Sequence, residues 1–313
     1  MRFLLLIVVL AAAAGAQHPP IKKVQRLPFQ KKQIALKAPT NYAKRFVRVD
    51  PKTGQEIYYD PKPRVELLDA KSGKYALKWI GYDGKEKMVT YQRPDAIDAV
   101  VMASVSKMAT GQYMYIYNIQ NLESSGQNLA SFSVQNYASD VKSVKIPHIS
   151  VGKMSKSINE FKSGNWVDFG IFPNFRPAVL PGRSVKLKLE SSAPPGLVEC
   201  RITGGKQGIE VVGEEPPEDL LDILPGYEAW PSGYTIGPID SLKALSPSER
   251  AKYILKLLPQ FHRLGWITAD ALRWYEQNLT GNNWENIYKR ADQDLKAGDV
   301  TTEVFSIIQG MRH

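Results

Sequence analysis

One stretch constrains the fold more than any other. Residues 112–146, QYMYIYNIQNLESSGQNLASFSVQNYASDVKSVKI, open with Tyr113, Tyr115 and Tyr117 at every second position. Met114, Ile116 and Asn118 lie between them, so a strand here puts three aromatics on one face and a mostly aliphatic set on the other. A strand apolar on both sides belongs in the middle of a layered β structure. This stretch predicts the centre of a sandwich, with the tyrosine ladder buried in it.

The flanking chain has the same character. Val49-Asp50-Pro51-Lys52-Thr53-Gly54-Gln55, Leu68-Asp69-Ala70-Lys71-Ser72-Gly73-Lys74 and Tyr82-Asp83-Gly84-Lys85 each pair an Asp that bonds its own backbone with a Gly free to take positive φ. Strand-like runs flank them at 57–59, 65–68, 75–80 and 88–91, so consecutive hairpins are expected. Further strands are expected at 99–105, 113–119, 129–134, 141–146, 166–172, 184–189 and 197–202. Val185, Leu187 and Leu189 alternate there with Lys186 and Lys188, and Pro181-Gly182 and Pro194-Pro195-Gly196 act as punctuation. Short strands at intervals of roughly 8 to 15 residues, without helix-period segments between them, argue for an antiparallel β-sandwich.

The pattern changes after residue 241. Ser246-Pro247-Ser248-Glu249 has capping-box order, and Ile254, Leu257, Leu258 and Phe261 recur at helical spacing until Pro259 is expected to end or kink the helix. Thr268, Asn283 and Asp299 are expected to start three more helices, with Gly281 and Gly298 closing the second and third. Short capped helices with short connections read as a small antiparallel helical bundle. The expected class is therefore an antiparallel β-sandwich followed by a small C-terminal helical bundle.

Five segments follow from composition. Residues 1–16 combine Arg2, an apolar run from Phe3 to Ala14 and a small-x-small exit before Gln17, the pattern of a cleavable secretory signal. Residues 17–64 hold twelve Lys/Arg against three acids, +9, while the chain after Arg64 balances 28 against 28. The basic character thus belongs to one arm, whose proline-rich first part lacks any sustained period and reads as partly disordered. Residues 65–212 form the sandwich, 213–241 an acidic, proline-rich linker, and 242–313 the bundle. Cys200 is the single cysteine, which excludes an intrachain disulfide and favours a bacterial envelope over an animal extracellular space. Its neighbours Val198 and Ile202 share its face, so it reads as a buried, inert thiol.

Catalytic signatures are sparse. The histidines at 18, 148, 262 and 313 carry no triad motif, no nucleophile elbow of the Gly-x-Ser-x-Gly kind occurs, and no zinc spacing is found. No cofactor is expected. Glu214, Glu215, Glu218, Asp219 and Asp222 form a dense acidic cluster without the spacing of a calcium loop. Asp292 and Asp294 with Asp299 invite a metal, but Asp299 follows Gly298 and reads as the cap of the next helix.

The aromatics outside the core strand supply the candidate ligand platform, Trp79, Tyr82 and Trp166, on which sugar rings or peptides stack. Lys22, Lys23, Arg26, Lys31, Lys32, Lys37, Lys44, Arg45 and Arg48 are the candidate contacts to an anionic polymer. The expectation is an exported, non-catalytic binding or structural protein of a bacterial envelope or extracellular space, whose partners are an anionic envelope polymer or polysaccharide and another envelope protein. No specific nucleic acid is expected, because the arm lacks a recognition motif. The alternative is a carbohydrate-active hydrolase, for which Asp168, Glu190 and Glu199 are the strand carboxylates, or a carbohydrate-binding module.

Overall fold

The computed structural model describes residues 46–50, 52–59, 64–81, 83–93, 95–143, 158–163, 165–171, 179–205, 216, 230–281 and 283–312. The signal segment, Lys22 to Arg45 of the arm, Tyr82, His148 and the acidic cluster at 214–222 lie outside these residues.

Each of the three Asp–Gly turns reverses the chain as its chemistry requires. β1 (Phe46–Val49) pairs with β2 (Glu56–Tyr59), and β3 (Arg64–Asp69), β4 (Lys74–Ile80) and β5 (Glu86–Gln92) form a three-stranded meander. Asp50, Asp69 and Asp83 accept the N–H two residues on, at 2.8, 2.9 and 3.1 Å, and Gly54, Gly73 and Gly84 take φ of 70°, 63° and 72°. One face of the meander buries Leu77, Trp79, Val89 and Tyr91. The other carries a chain of ion pairs, Glu86 to Arg64 at 2.7 Å, Arg64 to Glu66 at 2.8 Å and Glu66 to Lys78 at 2.6 Å.

Two antiparallel sheets make the sandwich. Its strands are β6 (Ala99–Lys107), β7 (Tyr113–Asn121), β8 (Leu129–Gln135), β9 (Lys142–Ser143), β10 (Ile158–Ser163), β11 (Trp166–Ile171), β12 (Ser184–Ser191), β13 (Pro195–Gly204) and β14 (Ser232–Pro238). Their order is β10-β11-β8-β13-β14 in one sheet and β6-β7-β12-β9 in the other. The tyrosine ladder of β7 is 3%, 0% and 0% exposed at Tyr113, Tyr115 and Tyr117. The Tyr117 ring lies 5.3 Å from Phe132 of β8, which in turn stacks 6.2 Å from Phe169 of β11. Each tyrosine hydroxyl donates to a carbonyl of a different element: Tyr115 to Ala193 at 2.6 Å, Tyr117 to Ile236 of β14 at 2.9 Å, and Tyr113 to Gly310 at 3.2 Å. Cys200 is fully buried beside this ladder, and burial raises its thiol well above the ordinary range.

The loop between β7 and β8 joins the meander to the sandwich. Gln127 donates to the carbonyls of Ser72, at 2.8 Å, and Arg93. Gly126 presses so closely that a Cβ there would stand 1.9 Å from the Lys71 carbonyl oxygen, a contact only glycine permits.

The chain ends in a 3-10 turn (Asp240–Ala244) and four helices: α1 (Pro247–Arg263), α2 (Ala269–Asn278), α3 (Trp284–Ala297) and α4 (Thr302–Gly310). The capping box forms as expected, with the Ser246 hydroxyl accepting from Glu249 N–H and the Glu249 carboxylate accepting from Ser246 N–H at 2.8 Å. Buried residues run without a break from Tyr115 and Phe132 through Ile254 and Phe261 to Ile307 and Ile308, so helices and sandwich share one core. α4 lies along β6, the edge strand, where Glu303 accepts the Ala103 N–H at 2.7 Å and Ser306 accepts the Val105 N–H at 3.0 Å. These two side chains stand in for a missing neighbour strand.

Several expectations need correction. The stretch 213–241 is not all connection: β14 lies within it and pairs with β13, with buried Thr235 opposite Val198 and buried Ile236 opposite Leu197. Pro195 and Gly196 begin β13 rather than precede it. β10 was not anticipated from sequence. Helix α1 runs through Pro259, which is exposed, to Arg263, so the proline does not end it. Asp299 does not cap α4: Val300 bridges Ile267, which keeps the chain extended until Thr301, and the Asp299 carbonyl instead accepts Thr268 N–H at 2.9 Å.

Two predictions follow from these contacts. Tyr117→Phe leaves the Ile236 carbonyl without its buried donor and is expected to cost about 1–3 kcal/mol, read as a lower thermal midpoint than wild type. Tyr137→Phe, at a ring 44% exposed, is expected to leave the midpoint unchanged; equal midpoints for both variants would contradict the assignment.

The second concerns pH. Burial opposes ionisation of Asp140, but the Ser191 hydroxyl at 2.6 Å, the Ser192 N–H at 2.8 Å and the Lys243 charge outweigh it and hold the carboxyl down to about 2. An unfolded aspartate titrates near 3.9, so ionised Asp140 favours the folded state. That contribution is present above about pH 4 and is lost as pH falls through the folded value. Screening limits it to about 1 kcal/mol. Denaturant midpoints of wild type and Asp140→Asn are expected to differ at pH 6 and to converge near pH 2; a gap that persists at pH 2 would show that charge is not the cause.

Candidate functional site: an arginine between two tryptophans

Period-two alternation in the five-stranded sheet sorts its residues cleanly. Val167 and Phe169 of β11, Phe132 and Val134 of β8, and Cys200 and Ile202 of β13 face the core, all nearly inaccessible. Trp166 and Asp168, Gln135, and Arg201 and Thr203 therefore share the outer face with Ser133, and Trp166, Asp168, Gln135, Arg201 and Thr203 are only partly buried. The register places Trp166 opposite Gln135, and Arg201 and Asp168 both opposite Ser133. Arg201 thus sits one diagonal step from Trp166 across β8.

Its guanidinium centre lies 4.0 Å from the Trp166 ring centroid and 5.2 Å from that of Trp230, which enters β14 from its N-terminal side. Cation–π attraction to two indoles holds the guanidinium in place on this face. Among the described residues Arg201 forms no ion pair. Asp168, two strands away in the same row, is about 10 Å distant by strand spacing. The result is a guanidinium held against two aromatic rings on the outer face of the sheet.

The sequence candidates fare unequally. Trp166 belongs to this stack. Trp79 does not join it: the ring is 2% exposed and completes the core of the meander, because it shares a strand face with Leu77 and lies beside Val89. Tyr82 lies outside the described residues, as do Lys22, Lys23, Arg26, Lys31, Lys32, Lys37, Lys44 and Arg45. Arg48 lies on β1, paired with Ile57. Of the candidate carboxylates, Glu190 is on β12 in one sheet, while Asp168 and Glu199 are on β11 and β13 in the other with β8 between them. His262 is exposed on α1. Asp292 pairs with Lys296 at 2.5 Å and buried Asp294 with Arg290 at 2.8 Å, so these carboxylates tie α3 together.

No family model matches this chain, and no curated protein does. Among solved structures, an uncharacterised protein from Nocardia farcinica described as having an immunoglobulin-like fold is 14% identical, with 42% of this chain and 95% of that chain covered and a TM-score of 0.26. The fold assignment rests on the strand pairings of this chain itself.

Arg201 and Trp230 were missed in the sequence because the pairing of β13 with β8 and β14 is what brings them to Trp166. The available signal was the alternation Glu199, Arg201, Thr203 opposite Val198, Cys200 and Ile202, which puts a cation on the outer face. The stack is expected to be energetically coupled. A double-mutant cycle of Arg201→Ala and Trp166→Ala, read from denaturant midpoints, is expected to give about 0.5–1 kcal/mol of interaction, and additive effects would dissolve the stack.

Proposed function

We propose that this chain is an exported, non-catalytic binding protein of a bacterial envelope or extracellular space, and that it holds an anionic polysaccharide or related polymer. The observation that carries the reading is the Trp166–Arg201–Trp230 stack on the outer face of the five-stranded sheet. It brings a cation and two aromatic side chains to one place on the sheet, the two kinds of group that recognise an acidic sugar. The basic arm supports the same reading, since twelve cations against three acids ahead of a charge-balanced body attract a polyanion without choosing among its sequences. The arm supplies attraction and the stack supplies geometry.

The test is a binding array of acidic and neutral glycans, teichoic acid and lipopolysaccharide, run on the whole mature protein. Affinity for an acidic polymer is expected to fall about tenfold in Arg201→Gln, the loss of one charge-assisted contact of roughly 1.4 kcal/mol. Replacing Lys22, Lys23, Arg26, Lys31, Lys32, Lys37, Lys44 and Arg45 by Gln is expected to flatten the salt dependence. Turnover of any polymer, or affinity indifferent to Arg201, would overturn the reading.

A further inference from the structure

A second basic feature lies on the other sheet, where the C-terminal end of α4 meets the β6–β7 hairpin. Val105 and Lys107 of β6, Tyr113 of β7, Ser306 and Gly310 of α4, and Arg312 border a cleft of about 240 Å3. We propose that this cleft binds a small molecule through an oxyanion, a phosphate or a carboxylate, held by Lys107 and Arg312.

The charges favour an anion. Among the described residues Lys107 has no carboxylate partner; its ammonium instead lies 5.7 Å from the Tyr113 ring centroid. Arg312 stacks 5.2 Å from the Tyr288 ring, and its ion pair among the described residues is with Glu285, at 3.5 Å on an open surface, a contact that contributes little. Behind them Arg250 donates to the Met311 carbonyl at 2.8 Å, and its Nε is buried without an acceptor. Its charge reaches both rings: burial raises the phenols of Tyr113 and Tyr288, and Arg250 partly offsets this in each.

A helix C-terminus attracts cations by itself, but its dipole amounts to about half a negative charge. Three cations exceed that requirement even after Glu285 is counted. The last carbonyls are also engaged already, Gly310 by the Tyr113 hydroxyl and Met311 by Arg250, so they do not face the cleft as competing acceptors. Ser306 uses its oxygen for the Val105 N–H, which leaves its hydroxyl proton free to donate inward. The volume falls below the roughly 300–1,000 Å3 of drug-sized sites. A small anion fits it.

The test uses the whole protein titrated with inorganic phosphate and, separately, succinate at constant ionic strength set by chloride, followed by calorimetry. Saturable binding of either is expected, weakened at least tenfold in Lys107→Gln/Arg312→Gln. Both substituted side chains are exposed, and an unshifted thermal midpoint confirms that the double variant folds. Heat that does not saturate, or binding that survives the double substitution, overturns the proposal. Loss of polymer binding in Arg201→Gln with anion binding intact separates this site from the polymer reading.

Discussion

The fold depends on how the β7 tyrosines are satisfied at both ends. A phenol ring contributes large apolar area, but its hydroxyl is costly to bury without a partner. Here each hydroxyl emerges from the core next to a backbone carbonyl of a different element, one after β12, one in β14 and one at the end of α4. Three bonds from one strand face therefore bind both sheets and the last helix to the same axis. Phenylalanine at those positions would fill the same volume and specify none of those neighbours. Directional bonds inside an apolar cluster are what select one arrangement of layers over others of similar hydrophobic content.

The same economy explains the helices. A sandwich with β6 at its edge exposes a row of N–H groups open to pairing with another chain. Glu303 and Ser306 occupy two of them from α4, while Ile307 and Ile308 sink into the common core. The helical segment is thus a cover for a sheet edge as much as a unit of its own, and β14 continues the opposite sheet until the chain turns into that cover. The sandwich and its cover are continuous because the same strand face anchors both.

Local chemistry was legible in the sequence and long-range pairing was not. The three Asp–Gly turns, the capping box at Ser246, the inward set of β12 and the buried thiol of Cys200 all depend on residues within a few positions of one another, and they fold as read. β14 was hidden because Pro231, Gly233 and Gly237 look like connection, and only its pairing with β13 satisfies their backbone. Trp79 shows the same limit: by sequence it reads as a ligand platform, and whether its face meets water or Leu77 is decided by strands elsewhere. Asp299 failed as a cap through a bridge between Ile267 and Val300 that lies over thirty residues apart in sequence.

Net charge is a poor guide to where this protein meets anions. The chain after Arg64 balances 28 cations against 28 acids, which suggests an electrically quiet body. Yet its acids are spent unevenly. Glu66 and Glu86 are held by Arg64 and Lys78 on the meander, Asp95 by Arg93 at its junction with the sandwich, and Asp292 and Asp294 by Lys296 and Arg290 on α3. Among the described residues Arg201 and Lys107 pair with no carboxylate. Both cations instead lie over an aromatic ring, Lys107 exposed and Arg201 partly buried. Local neutralisation, and not the sum over the chain, sets where a counter-ion is still wanted.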